Sequence, residues 1–226
     1  MSLFLTNEMR ARRAAELGEA YRTHRGAVVF LDETFSLQDP RDRFYAVTAS
    51  VVSSENLDNC RQALLTGYDA DPIHASELYK HSQSASLTKA IDVVAAQRAM
   101  HCIVVRTDVE RGDQSGDGAR RACFSALVPA LGAGKTAATL FVADSRGTLA
   151  ADRVDSDLVR QLRVEGKVPR GVTLLHRMPS EEQLIALADV TGWAWRQRWL
   201  RTSQSHRFDP LEDRVQVQVV SGIRAN

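Results

Sequence analysis

The segment Val28-Val29-Phe30-Leu31, running directly into Asp32-Glu33-Thr34, constrains this chain more than any other. A continuous apolar run rich in β-branched residues, bounded by Gly26 before and polar residues after, reads as a central β-strand. An acid at the tip of such a strand points into the crevice where open α/β sheets place their sites. The arrangement recurs in Thr139-Leu140-Phe141-Val142-Ala143, which runs into Asp144. A third acid, Asp189, interrupts the apolar helical segment Leu184-Ile185-Ala186-Leu187-Ala188 before Val190. Packing alone would put an apolar side chain at each of these places, so the three suggest a carboxylate cluster.

The remaining pattern places these acids in a fold. Residues 6–24 form an amphipathic helix that Gly26 ends, and the first strand follows. Asp39-Pro40-Arg41-Asp42 is a turn, and Phe44 to Val52 is a second strand, so the two make a hairpin with a long loop. A helix from Ser54 to Leu65, a loop over 67–72, a helix from Ser86 to Ala99 and a strand from His101 to Thr107 come next. The polar stretch Val109 to Gly118 reads as a mobile surface loop. Helix 119–131, strand 138–143, helix 152–165, strand 172–176 and a long helix 180–200 then alternate, as parallel βα units do. The strand Val215 to Val220 alternates Val and Gln and is expected at an edge or an interface.

An antiparallel hairpin followed by parallel βα units is the order of an RNase H-like domain; composition alone would also allow a plain doubly wound fold, and the hairpin favours the former. The expected fold is therefore α/β: an RNase H-like mixed sheet flanked by helices, with an added N-terminal helix (6–24) and a C-terminal edge strand. One domain over 1–226 is expected, with its core at about 27–200 and an extension at 201–226.

Composition excludes several classes. The chain has 226 residues, a net charge of +1 and 44% hydrophobic residues, which is ordinary for a globular protein and shows no global basic excess. Of 29 cationic side chains only Lys80, Lys89, Lys135 and Lys167 are lysines. That arginine bias suits bidentate phosphate contacts, and a GC-rich genome produces it equally well. Cys60, Cys102 and Cys123 are dispersed and read as small buried hydrophobes, with no disulfide framework or zinc spacing. No apolar stretch is long enough to span a membrane, so a cytoplasmic location is expected. Leu131-Gly132-Ala133-Gly134-Lys135-Thr136 resembles a phosphate loop, but Pro129 stands where that pattern needs glycine and the order is helix, loop, strand.

With the acids in place, the chain resembles the bacterial family called domain of unknown function 3800. The family's Asp-Glu-Ser-Gly strand end is matched at both acids by Phe30-Leu31-Asp32-Glu33-Thr34. Its Glu motif is similar to Ile73-His74-Ala75-Ser76-Glu77-Leu78, and its apolar strand ending in Asp to Phe141-Val142-Ala143-Asp144-Ser145-Arg146. Its Ala-Asp helix is similar to Leu187-Ala188-Asp189-Val190-Thr191-Gly192-Trp193. Phe35 departs from the family's glycine, and Leu184-Ile185-Ala186 from its upstream Gln. The resemblance spans roughly residues 27–200 and implies an RNase H-like nuclease fold with a carboxylate set.

Hydrolysis of a phosphodiester by two metals needs acids that hold hard cations ~3.5–4 Å apart. On this reading Asp32, Glu77, Asp144 and Asp189 ligate Mg²⁺ or Mn²⁺. His74, three residues before Glu77, binds the scissile phosphate or shuttles a proton. Each has a plainer alternative. Asp144 suits a turn or helix cap, Asp108 and Glu33 compete with it, and Glu77 suits an ordinary ion pair with Lys80. Trp193, Trp195 and Trp199 interleave with Arg196, Arg198 and Arg201, a pattern that serves core or subunit packing or stacks on single-stranded bases. The leading function is a metal-dependent nuclease or related phosphoryl-transfer enzyme acting on DNA or RNA through a local arginine surface of Arg120-Arg121, Arg146 and the last helix. The alternatives are a non-catalytic nucleic-acid- or protein-binding module of the same fold, and an enzyme of a small phosphorylated substrate. A homo-oligomer through the Trp-rich helix or the last strand is a further expectation.

Overall fold

The computed structural model describes residues 7–24, 26–67, 74–133 and 137–221. Among these residues, six strands form one sheet: β1 (Ala27–Ser36), β2 (Phe44–Ser53), β3 (Ala99–Arg106), β4 (Leu140–Asp144), β5 (Thr173–Arg177) and β6 (Val215–Val220), in the order β5-β4-β1-β2-β3-β6. β1, β2 and β3 are antiparallel neighbours, while β4 runs parallel to β1 and β5 parallel to β4. This is the RNase H-like layout expected from the sequence, with β1 at the centre. β6 extends the sheet beyond β3, parallel to it, as the anticipated edge strand.

Among the described residues, seven α-helices flank the sheet: α1 (Asn7–Thr23), α2 (Leu57–Gly67), α3 (Ala75–Lys80), α4 (Ser84–Ala96), α5 (Asp117–Gly132), α6 (Leu149–Val164) and α7 (Ile185–Trp199). Successive residues of a strand face opposite sides, and β1 divides accordingly. Val28 and Phe30 join a core with α2, α4, α7 and the 3₁₀ segment Ser205–Arg214, while Val29 and Leu31 join one with α5 and α6. Asp32 continues the first face and Glu33 the second. No described helix is long and apolar enough to cross a membrane.

Three expectations are corrected. α7 starts at Ile185, five residues later than its pattern suggests, because Glu182 anchors the preceding turn. Its carboxylate accepts hydrogen bonds from Tyr21 Oη (2.6 Å), Arg61 Nη2 (3.0 Å) and the Leu184 amide (3.1 Å). The polar stretch 109–118 is pinned: Val109 is buried, Arg43 Nη2 donates to the Glu110 and Asp113 carbonyls, and Asp113 Oδ2 accepts the Ala119 amide. Arg120 is not part of an arginine surface but one of the most buried side chains, 1% exposed. Two of the three tryptophans serve the core. Trp193 and Trp195 are buried, Trp195 meets Phe44 edge to face at 5.5 Å, and Trp199 is partly exposed beside them. Lys135 and Thr136, which complete the phosphate-loop look-alike, lie outside the described residues, as do residues 68–73 before the Glu77 segment.

Candidate carboxylate site

Strand register brings the first two acids together. Leu31 pairs with Ala143 across the parallel β1–β4 ladder, and one further step sets Asp144 beside Asp32 on the same face. Asp152 shapes the turn that follows Asp144: its carboxylate accepts Ser145 Oγ (2.8 Å) and the Arg146 amide (2.9 Å). Asp144 is thus a strand-end residue and not a helix cap; Thr148 caps α6.

The third acid arrives on α7, which crosses the same face. Gly192 lets the helix approach closely, because a β-carbon there would stand 2.7 Å from Thr48 Oγ1, and Thr48 is the register partner of Asp32. Asp189 lies three residues earlier, nearly one turn. Beneath α7, Ser50 Oγ and His101 Nδ1 are 2.8 Å apart, with Thr191 Oγ1 3.4 Å from that nitrogen. Burial holds His101 down to about 4, so this anchor is neutral. Asp189 Oδ2 accepts the Ala75 amide at 2.9 Å and lies 3.9 Å from His74 Nδ1. One carboxylate therefore fastens the start of α3 to α7.

The electrostatics record the convergence. Asp32 is pushed well above the ordinary carboxylate range by burial first, then by Asp189, Glu33 and Asp144. Asp144 is pushed up to about 7 by burial, with Glu33 and Asp189 adding to it. Asp189 rises to about 6 through burial, opposed by the Ala75 amide and His74. Like charges held together in a poorly solvated place resist ionising together. No lysine or arginine pairs with Asp32, Asp144 or Asp189 among the described residues.

Glu33 enters the set from the opposite face. It forms an ion pair with Arg120, whose guanidinium also grips Asp155 in bidentate fashion (3.0 and 2.8 Å) and donates to Tyr45 Oη (3.2 Å). Asp155 in turn lies 3.1 Å from His176 Nε2. The sequence signal for Glu33 was its place beside Asp32; no local pattern announced Arg120 or Asp155, which are 35 residues apart.

Two candidates stay outside. Glu77 is exposed on α3, 2.5 Å from Lys80 Nζ and 3.6 Å from His81 Nε2, and its hydrogen bond to Lys80 holds it below the ordinary glutamate value. Asp108 follows β3, two strands from β1, where Arg106 meets it at 3.2 Å. Arg146 and Arg121 are engaged with Asp117 and Gln161.

Asp32, Glu33 and Asp189 line a cleft of about 450 Å³ together with Thr34, Phe35, Tyr79, Lys80, Trp193 and Arg196 among others, while Asp144 lies outside its lining. Asp32 and Asp189 offer carboxylate oxygens, the donors that hard divalent cations take, and neither is paired with a lysine or arginine among the described residues. Among the described residues, no group of three or more His, Cys, Asp or Glu side chains is arranged to hold a metal ion.

No family model matches the chain, and no curated protein matches it significantly. Among solved structures it is similar to the ribonuclease H2 from Pyrococcus horikoshii OT3, with a TM-score of 0.48 and 12% identity, covering 81% of this chain and 78% of that one.

Proposed function

We propose that the cleft is the active site of a divalent-metal-dependent hydrolase of phosphodiester bonds in nucleic acid. One observation carries this reading: carboxylates from β1, β4 and α7 meet at the end of the central strand, with no lysine or arginine paired to them among the described residues. Unpaired, partly buried charges are costly, and a fold retains such a set where an ion offsets the cost.

Asp32, on the central strand, would hold Mg²⁺ or Mn²⁺ together with Asp144 and Asp189, and Glu33 would reach the same ions from the other face. Bound there, such ions supply an activated water and neutralise charge on the phosphate oxygens. Lys80 and Arg196 on the cleft wall orient the substrate's phosphates. His74, whose Nδ1 lies 3.9 Å from Asp189 Oδ2, would carry a proton between the cluster and solvent.

The test is cleavage of labelled single-stranded and duplex DNA and RNA with Mg²⁺ or Mn²⁺, comparing the wild type with Asp32→Asn and Asp189→Asn. Loss of activity in both variants, with titration calorimetry showing Mn²⁺ binding lost in Asp32→Asn, supports the reading. A wild type that cleaves none of these substrates, or a variant that binds Mn²⁺ as the wild type does, overturns it.

A further inference from the structure

The cleft beside the carboxylates carries features that metal binding does not use. Asp189, Trp193 and Arg196 follow one another at helical spacing on α7 and all line it. Arg196 is partly buried, yet among the described residues its guanidinium has no hydrogen-bond or ion-pair partner, in a chain whose Arg13, Arg61, Arg120, Arg177 and Arg198 side chains are all engaged. Nor is it among the principal charges acting on Asp32 or Asp189, so it does not serve as their counter-ion. Seven residues along α7 set it roughly 10 Å from Asp189, far enough to meet a different phosphate from the one that reacts.

Two aromatic rings complete the cleft. Phe35 and Tyr79 are 46% and 48% exposed, and each is backed by a buried aromatic. Phe35 stacks on Tyr45 at 5.4 Å with planes 9° apart, and Tyr79 leans on Trp193 at 5.5 Å. Such bracing fixes an exposed ring in place, which lowers the entropy lost when a flat group stacks on it. Bases in a duplex already stack on one another and pair across the helix. Rings at a cleft mouth therefore serve bases that are unpaired.

We propose that the cleft takes single-stranded nucleic acid, with Arg196 binding a phosphate other than the scissile one and Phe35 and Tyr79 stacking on unpaired bases. This deepens the phosphodiesterase reading and rests on it for the position of the scissile bond, but the binding itself is measurable without turnover.

The experiment is fluorescence anisotropy with end-labelled oligo-dT, oligo-U and a duplex of equal length, in buffer containing Ca²⁺, an ion that accepts flexible oxygen coordination. Single strands are expected to bind more tightly than the duplex. Arg196→Ala should weaken single-strand binding about tenfold and lower the salt slope by about 0.7, with Arg196→Lys intermediate. Phe35→Ala and Tyr79→Ala should each cost about fivefold or more on single strands and leave duplex binding unchanged. Phe35→Leu, which keeps apolar bulk without a ring, should behave as Phe35→Ala. Arg153→Ala, exposed on α6 across the sheet, is the control expected to bind as the wild type.

Equal or tighter binding of the duplex, or Arg196→Ala matching the Arg153→Ala control, overturns the proposal. So does wild-type binding by Phe35→Leu. If Arg196-dependent single-strand binding is found in a protein that cleaves nothing, the inference stands and the catalytic reading falls. Cleavage without such binding gives the reverse.

Discussion

Gly192 and Thr48 touch where α7 crosses the sheet, closely enough that a β-carbon on the glycine would lie 2.7 Å from Thr48 Oγ1. Thr48 is the cross-strand partner of Asp32, and Gly192 lies nearly one turn beyond Asp189. One small-residue contact therefore sets the height of the helical acid above the strand acid. Gly192→Ala should lift α7, cost about 1–3 kcal/mol of stability as overpacking does, and reduce any metal-dependent cleavage more than tenfold. Thr48 Oγ1 is buried without a hydrogen-bond partner, so Thr48→Ala alone should be close to neutral. The double variant should recover most of both losses. A double-mutant cycle in melting temperature and rate checks this, and additive effects would show that the two residues do not share the contact.

The acid cluster makes stability depend on pH in a defined direction. Asp144 rises to about 7 and Asp189 to about 6, from an ordinary value of 3.8. A carboxyl whose folded value is raised favours folding fully below its unfolded value, and that contribution is lost as pH climbs through the folded value. These groups should therefore lower stability progressively between about pH 4 and pH 7. Asp144→Asn carries no such charge, so it should melt above the wild type at pH 8, with the gap closing toward pH 4.5. Mn²⁺ should raise the wild-type melting temperature at pH 7.5 and do so much less at pH 5, where protons compete for the same oxygens. Melting curves over this range decide it. A gap that widens on acidification would mean that Asp144 is held by a cation.

Much of this arrangement was legible in the sequence, and the physics says which parts. The apolar runs 28–31 and 139–143 are long and continuous enough to define the two central strands, and their terminal acids follow from period and position. Asp189 stood out because α7 is apolar on nearly all sides, so a charge inside it needed a reason. Glu77 stands apart from the aspartates, because an exposed glutamate three residues before Lys80 on a helix finds that lysine first. Arg120 was read as a surface cation because arginine usually is one. Its burial depends on Glu33, Asp155 and Tyr45, which are distant in sequence and meet only when α5 and α6 pack on the sheet.

That buried set gives a stability prediction. Arg120, Asp155 and His176 are 1%, 2% and 7% exposed. Removing one partner from a buried ionic group leaves the other charges uncompensated. Arg120→Ala should cost about 3–5 kcal/mol, read by urea unfolding. Burial alone would raise Asp155, but His176 and Arg120 overcome it and hold the carboxyl below the ordinary value. A lowered carboxyl gives stability that is present above the unfolded value and lost as pH falls through the folded one. The penalty of Arg120→Ala should thus be full at pH 7 and shrink below about pH 4. A penalty under 1 kcal/mol at pH 7 would show that the network is replaceable.

Glu33 and Glu77 differ in which carboxylates their charges reach. Glu33 stands beside Asp32 and raises both Asp32 and Asp144 by its charge. Glu77 is exposed and bonded to Lys80, and does not figure among the principal charges on any of the three aspartates. If the ions sit where the aspartates meet, charge at position 33 contributes to holding them and charge at position 77 does not. Glu33→Gln should then reduce metal-dependent cleavage at least tenfold and weaken Mn²⁺ binding in calorimetry. Glu77→Gln should stay within about twofold of the wild type on both measures, since an exposed pair of this kind contributes little. Glu33→Gln also weakens the contact to Arg120, so its melting temperature must be read alongside. A variant that has lost activity but still melts near the wild type assigns the loss to the ions and not to the network. The opposite ranking, with Glu77→Gln inactive and Glu33→Gln active, would mean that α3 turns its glutamate into the cleft when metal and substrate are bound.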